Sequence, residues 1–358
     1  MQTKLKVENL RVAFDTPLGE ARAARGVSFE LFEGETLALV GESGSGKSVT
    51  CKAVMGLLPS NAKITSGNIF YGGRDLTNAS EREMQALRGD RIAMVFQDPS
   101  ACLNPIVKNG KQIVETMLLK NRALRRRDKS AAKLSKKEAR NRAIALMEEV
   151  GITQAEKRFK QYPFELSGGM RQRIVIAVAL ASNPEVLICD EPTTALDVTI
   201  QAQILELLNR LKKERKLSVL FITHDLGVVA NVADRVAVTY AGRIVEYGTV
   251  EEIFYAPKHP YTQALLASMP DLETKGRLTA IPNSPPDMLS PILGDAFAER
   301  DTQAIELDFE RQPPFFKVSE THYAATWSLH PYAPKRELPD ALRKRIARIK
   351  RRRKNDDG

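Results

Sequence analysis

The stretch GESGSGKS, residues 41–48, sets glycine, four further residues and then Gly-Lys-Ser. Glycines at Gly41, Gly44 and Gly46 let backbone N–H groups turn inward around a chain of phosphates. Lys47 supplies a charge for the outer phosphates, and the Ser48 hydroxyl suits a divalent cation. Such a loop needs a buried strand before it and a helix after it, whose N-terminus adds positive potential. TLALV (36–40) is an apolar run of strand length, and SVTCKAVMGLLP (48–59) reads as a helix stopped near Gly56 and Pro59. A merely flexible Gly/Ser loop would have no need of that setting.

Four more groups could act with the loop. VLICDE (186–191) ends an apolar strand in two acids, so Asp190 can hold Mg²⁺ and Glu191 can polarise an attacking water. Many buried strands end in an acid, so the pair gains meaning only beside the loop. Gln97, in MVFQDPS, is either a surface glutamine at a turn or a contact to Mg²⁺ and water. His224 closes the strand VLFITH at the sheet edge where open α/β folds bind ligands, although a lone histidine there is usually structural. LSGGMRQR (166–173) opens a helix with Ser167 as cap and Gly168 and Gly169 exposing N–H groups, a second anion site or an ordinary helix start.

The elements that must place these groups are legible in outline. Alternating segments from Leu5 and the run VSFELFEGETLALV read as strands, and residues 67–96 as strands and turns. Residues from Asp98 to about Glu165 are rich in Lys, Arg, Ala, Leu and Glu, and read as helical. Strand–helix alternation then resumes. Ile200, Ile204, Leu207, Leu208 and Leu211 share one helical face, SVLFITHD is a buried strand, and VAVTYAGRIVEYG is a hairpin turning at Ala241-Gly242. From about Ala256 the text turns Pro-rich and irregular. The expected fold is α/β, a parallel sheet with an inserted helical subdomain.

Bulk properties exclude several classes. At 358 residues the chain is too long for one ordinary core. The longest apolar run, IVIAVALA, is far short of the ~20 residues a spanning helix needs. MQTKLKVENL lacks the apolar core of a signal peptide. Three dispersed cysteines, Cys51, Cys102 and Cys189, fit a reducing compartment rather than a disulfide framework. The net charge of +10 is concentrated: RKRIARIKRRRK (343–354) holds nine basic residues and no acid. Basicity therefore belongs to an appendage, and no nucleic-acid groove is expected.

In chain order, Phe14, GESGSGKS, Gln97, LSGGM, VLICDE, ALD (195–197) and His224 resemble the ATP-binding-cassette ATPases. The resemblance covers roughly residues 4–250. It implies a P-loop NTPase core with an antiparallel β subdomain, over 1–97 and 176–255, and a helical subdomain over 98–175. It implies ATP and Mg²⁺ as cofactors. Phe14 would stack on adenine; Gly41, Ser43, Gly44, Ser45, Gly46, Lys47, Ser48 and Val49 would hold phosphate. Ser48, Gln97 and Asp190 would serve the metal, Glu191 would be the general base, Gln97 would also sense the membrane partner, and His224 would touch the γ-phosphate. Ser167, Gly168 and Gly169 would bind ATP held by a second ATPase, with Asp197 at the seam. Met170 stands where most of the family has Gln.

GESGSGKSVT, MGLLP, FQDP with LNP, DEPTTALDVTIQAQIL and HPYTQALL narrow the resemblance to oligopeptide and dipeptide importers, with an extension over 256–342 and a tail over 343–358. That implies a second homologous ATPase, two transmembrane permease subunits, an external peptide-binding protein, and a place on the cytoplasmic face of the membrane. Dipeptide, nickel and glutathione import compete as substrates. Cassette ATPases of DNA need a long coiled coil, ribosomal ones need two phosphate loops, and kinases or GTPases lack LSGGM; none fits. The tail is either a solvated end or a contact for anionic lipid.

Relatives of this type often hold an iron–sulfur cluster on four cysteines in the extension. The corresponding positions here are Asp295, Asp301, Asp308 and Thr326, framed by Gly294, Phe297, Arg300, Ala304, Pro314, His322 and Trp327. Clusters need thiolates, and no cysteine follows Cys189, so no cluster is expected. Three acids also fall short of the about six to eight oxygens Ca²⁺ takes. Hydrogen bonds and packing of Phe297, Phe315, Phe316 and Trp327 are expected as the local staple instead.

Overall fold

The computed structural model describes residues 2–194, 196–269 and 280–356, with side chains to residue 348. Ala195 of the ALD stretch and the tail side chains from residue 349 lie outside the described residues.

The strands run in chain order as β1 (Thr3–Thr16), β2 (Gly19–Phe32), β3 (Thr36–Val40), β4 (Ala62–Tyr71), β5 (Arg74–Asp75), β6 (Ile92–Val95), β7 (Val186–Asp190), β8 (Ser218–Thr223), β9 (Arg235–Tyr240), β10 (Arg243–Thr249), β11 (Phe316–Lys317) and β12 (Tyr323–Ala324). They form two sheets. One is antiparallel, in the order β2-β1-β4-β5; the other runs β11-β12-β10-β9-β3-β8-β7-β6. Within the second, β9, β3, β8, β7 and β6 are parallel neighbours. Strands β3, β7 and β8 are buried along their whole length, which is why they read as unbroken apolar runs.

One core cluster fills the space between the antiparallel sheet, the helix Lys47–Val54 and one face of the parallel sheet, through Leu5, Leu31, Leu39, Val54 and Ile188. A second lies on the opposite face, where Ile174, Ile176, Ile204 and Leu208 meet Leu187, Val219 and Phe221. It continues into the inserted helices Asn109–Arg127, Lys136–Glu149 and Ala155–Phe159 through Ile113, Met147 and Ala155.

The hairpin β9–β10 turns at Ala241 (φ 44°) and Gly242 (φ 78°), the pair of positive angles that suits a tight hairpin. Two features differ from expectation. Residues 81–87, in a stretch expected to hold strands and turns, form a helix. Its signal is local: Ser80 and Glu83 make a reciprocal capping box. The extension, expected to be irregular, adds β12 and β11 to the edge of the core sheet, where Ala325 N–H donates to Val245 O at 2.8 Å and Tyr323 stacks on Tyr247 at 5.0 Å. Two-residue strands carry no periodicity to read.

A third cluster ties the extension down through Tyr240, Tyr261, Leu266 and Phe297. Leu342 and Ile346, one helical turn apart, join it from the helix Asp340–Asp356. The tail thus begins as a docked helix rather than a solvated end. Among the described residues, no helix is long and apolar enough to cross a membrane.

Candidate active site

A cavity of about 810 Å³ opens at the C-terminal edge of the parallel strands, within the size range of small-ligand sites. It is lined by Phe14, Ser43, Gly44, Ser45, Gly46, Lys47, Ser48, Val49, Gln97, Glu191 and His224, so the structure brings together groups spread over more than half the sequence. The loop between β3 and its helix forms the floor. Gly46 has φ 90°, and a Cβ there would sit 2.3 Å from Ala23 O, so no other residue fits.

Lys47 is almost fully buried. Its ammonium donates to Gly41 O and Glu42 O, both at 2.8 Å, and to Ser45 Oγ at 3.2 Å. Burial pushes its pKa down, against the pull of Glu191, Asp190 and Glu42. Ser48 Oγ donates to Asp190 Oδ1 at 2.7 Å, joining the start of the helix to the end of β7. Burial pushes the Asp190 carboxyl up; the Ser48 bond opposes this and the Glu191 charge adds to it.

Three side chains converge on Glu191. Gln97 Nε2 donates to its Oε2 at 3.2 Å, Thr194 Oγ1 donates to the same oxygen at 2.9 Å, and His224 Nδ1 lies 3.1 Å from Oε1. Its backbone sits at φ 47°, left-handed for a residue with a Cβ, and its N–H donates to Ile222 O at 3.0 Å. Strain held in place by surrounding structure is a mark of functional positions. The carboxylate thus shares the cavity with the phosphate loop.

Not every expected residue joins this group. Ser167 caps the helix Gly168–Leu180 at the Met170 N–H, 3.4 Å away, and is exposed. Asp197 caps the helix Val198–Arg215 at the Ile200 N–H, 2.9 Å away. Neither of them, nor Gly168 or Gly169, lines the cavity. Other residues were not foreseen: Thr16, Ala21, Ala23, Glu42, Thr194, Leu265 and Met288 also line it. Thr194 carried a signal, lying one turn beyond Glu191 in DEPTT. Met288 carried none.

The extension combines hydrogen bonds with aromatic contacts, in which Phe315 meets Tyr247 and Phe316 meets Trp327. Phe297 is buried against Tyr240 and Tyr261, but Phe315 is 48% exposed, and Phe316 and Trp327 are only half-buried. Polar bonds hold the segment as well. Asp295 Oδ2 lies 3.3 Å from His259 Nε2, and Asp301 Oδ1 accepts from Arg336 at 2.6 Å. Asp308 Oδ2 accepts from the Ile305 N–H at 2.8 Å, and Thr326 donates to Ser328 Oγ at 2.9 Å. Gly294 lets its segment meet that of Asp308 directly, since a Cβ on Gly294 would lie 2.0 Å from Asp308 O.

Comparison with known proteins agrees with this architecture. The ABC transporter family pattern matches residues 24–194, and the oligopeptide/dipeptide transporter C-terminal region matches residues 245–306. The chain is 58% identical to the oligopeptide transport ATP-binding protein OppD of Bacillus subtilis (strain 168), covering 96% of this chain and 94% of that protein. It is 53% identical to the dipeptide transport ATP-binding protein DppD of Lactococcus lactis subsp. cremoris (strain MG1363), covering 97% and 96%. The chain belongs to the ABC transporter ATPases. It carries the C-terminal region of the oligopeptide/dipeptide branch and, as a family member, is an ATP-binding, ATP-hydrolysing subunit. A solved dimeric ATP-binding cassette in a post-hydrolysis state, bound to ADP and Pi, aligns with a TM-score of 0.60 at 26% identity, covering 69% of this chain and 98% of that one. The part left uncovered corresponds in size to the extension and tail.

Proposed function

We propose that this chain hydrolyses ATP to power an importer of oligopeptides, bound as a peripheral subunit on the cytoplasmic face of the membrane. Its partners are a second, related ATPase and two membrane permease subunits, with an external binding protein delivering the peptide. The observation that carries the catalytic part is the convergence of Gln97, Thr194 and His224 on the Glu191 carboxylate, across one cavity from Lys47 and Ser48.

In the proposed mechanism Phe14 stacks on the base, and the backbone N–H groups of Ser43–Val49 with Lys47 hold the phosphates. Glu191 takes a proton from water as it attacks the terminal phosphorus, and the bond to the departing ADP oxygen breaks. Gln97, Thr194 and His224 hold that carboxylate in one orientation, and His224 meets the phosphoryl group. The oxygens of Ser48, Gln97 and Asp190 suit Mg²⁺, and the buried charge at Asp190 beside Glu191 favours a cation. When bound, Mg²⁺ neutralises developing phosphate charge. Ser167–Gly169 and Asp197 do not line this cavity and are assigned to the site of the second ATPase.

The test is peptide uptake by the assembled transporter. Glu191→Gln is expected to keep nucleotide binding and to abolish uptake and turnover together. Ser167→Arg is expected to stop hydrolysis at the partner's site while ATP binding to this chain persists. Labelled dipeptides and longer peptides, supplied in parallel, decide between the two branches of relatives. Wild-type turnover by Glu191→Gln would overturn the proposed mechanism.

A further inference from the structure

The motif HPYTQALL and the frame residue Arg300 have no place in the hydrolytic mechanism, yet both reach the phosphate loop. Arg300 is 6% exposed. Its Nη1 donates to Glu42 Oε2 at 2.7 Å and its Nη2 to Glu42 Oε1 at 3.1 Å, a two-pronged pair across 258 residues of sequence. The rest of the guanidinium is equally committed: Nη1 donates to Tyr240 Oη at 3.0 Å and Nε to Pro282 O at 2.8 Å. Its Cζ lies over the rings of Tyr240 and Phe297, 5.7 Å and 5.8 Å from their centroids. A planar fork so held has one orientation.

A second bond reaches the same loop residue. The Glu42 N–H donates to Tyr261 Oη at 2.8 Å. Tyr261 is fully buried and packs on Tyr240 at 4.4 Å, and the neighbouring His259 accepts the Tyr261 N–H at 3.1 Å while facing Asp295. Glu42 is thus fixed at both backbone and side chain by the extension. Glu42 O and the adjacent Gly41 O are two of the three acceptors that hold the Lys47 ammonium. The extension approaches the cavity a third time, where Met288 O accepts the Arg22 N–H at 3.0 Å and its side chain lines the mouth with Leu265.

We infer that the C-terminal extension is a working part of the nucleotide site, with Arg300 and Tyr261 as positioning residues that hold the phosphate loop through Glu42. They act through Glu42 on Lys47 and on the loop N–H groups. Removing the fork frees Glu42, and with it the carbonyls that fix Lys47, so nucleotide affinity falls while the fold persists. The inference rests on the nucleotide reading of the cavity.

The experiment uses the full chain, equilibrium binding of Mg·ATP, and thermal unfolding of each variant. Arg300→Gln is expected to weaken binding about tenfold, the size of one charged hydrogen bond. Arg300→Lys, which keeps the charge and loses the fork, should fall between it and the wild type. Tyr261→Phe removes only the hydroxyl and should weaken binding less. Glu42→Gln with Arg300→Gln should be no weaker than the worse single variant, because one coupling is lost once. Additive losses, or a lowered Tm with unchanged affinity, would show a merely structural contact and overturn the inference. A wild-type chain that binds no nucleotide would overturn the reading of the cavity itself, an outcome distinct from any variant effect.

Discussion

The cavity edge and the extension use the same residue types for opposite ends. At the cavity, two carboxylates, Asp190 and Glu191, stand side by side, and burial with mutual repulsion pushes Asp190 up. In the extension two buried or nearly buried acids face a nitrogen partner: Asp295 has His259 and Asp301 has Arg336. On β10, which the extension covers, the fully buried Glu246 lies 2.7 Å from His322 Nε2 and accepts the His259 N–H at 2.9 Å. Concentrated like charge beside an open cavity is poised to receive something. Paired charge inside a packed segment is a fastening. The comparison teaches that an acid-rich motif is assigned by what faces it.

The largest expected effect is at the cavity. Glu191→Gln should cut ATP turnover by about 10²–10⁴-fold, the range of a positioned general base. Thr194→Val, which removes only one of the groups holding that carboxylate, should cost much less and leave nucleotide affinity unchanged. Steady-state hydrolysis with a parallel binding measurement separates the two. Equal losses would mean that orientation, rather than the base itself, limits the reaction.

Next in size is the extension. Asp295→Ala removes the group that faces the buried His259 ring and should destabilise the protein by about 1–3 kcal/mol, the cost of leaving a buried polar group unsatisfied; chemical denaturation measures it. The same segment should hold no cluster. Protein purified without oxygen is expected to be colourless, and stoichiometric iron with acid-labile sulfide would refute that.

Acid sharpens the contrast more gently. Burial pulls the Asp295 carboxyl up, but the facing His259 and the Phe297 N–H outweigh it and leave it below the ordinary 3.8. Burial likewise opposes, without prevailing, the bonds from Ser319, Thr249 and Thr321 that bring Glu252 down to about 2. Both groups have folded values below their unfolded ones. Their stabilisation is therefore full above the unfolded values of 3.8 and 4.5, and is lost as pH falls through the folded values. Asp308 has the opposite sign. Burial, with Asp295 and Asp301 nearby, raises it, so its contribution is lost as pH rises through its folded value. Asp308→Asn should accordingly raise the Tm at neutral pH and lose that advantage near pH 3.8. An unchanged Tm at neutral pH would remove Asp308 from the account.

The smallest effect is expected from the tail. Deleting residues 343–358 removes Ile346 from its place against the extension, at a cost of about 1–2 kcal/mol. ATPase activity should survive. Salt-sensitive binding to anionic liposomes should fall, and unchanged binding would leave the helix a structural cap alone.

By itself the sequence determined the phosphate loop, the acid-ended strand β7, the hairpin at Ala241-Gly242 and most core strands. Each is written in a contiguous stretch whose chemistry or period needs no distant partner. Gly46 favours glycine through its local backbone shape, although the close approach of Ala23 O is tertiary, and apolar runs must be buried wherever they lie. The short helix Glu81–Leu87 was legible too, in its Ser80–Glu83 capping box, but was outweighed by the strand-like text around it. Tertiary structure alone decided the rest. That Thr194 and His224 share one carboxylate, that Arg300 grips Glu42, and that Asp295 meets His259 depend on separations of up to 258 residues. Pairing across such distances leaves no periodic trace, because charged side chains earn their places through the single neighbour that folding brings within about 3 Å.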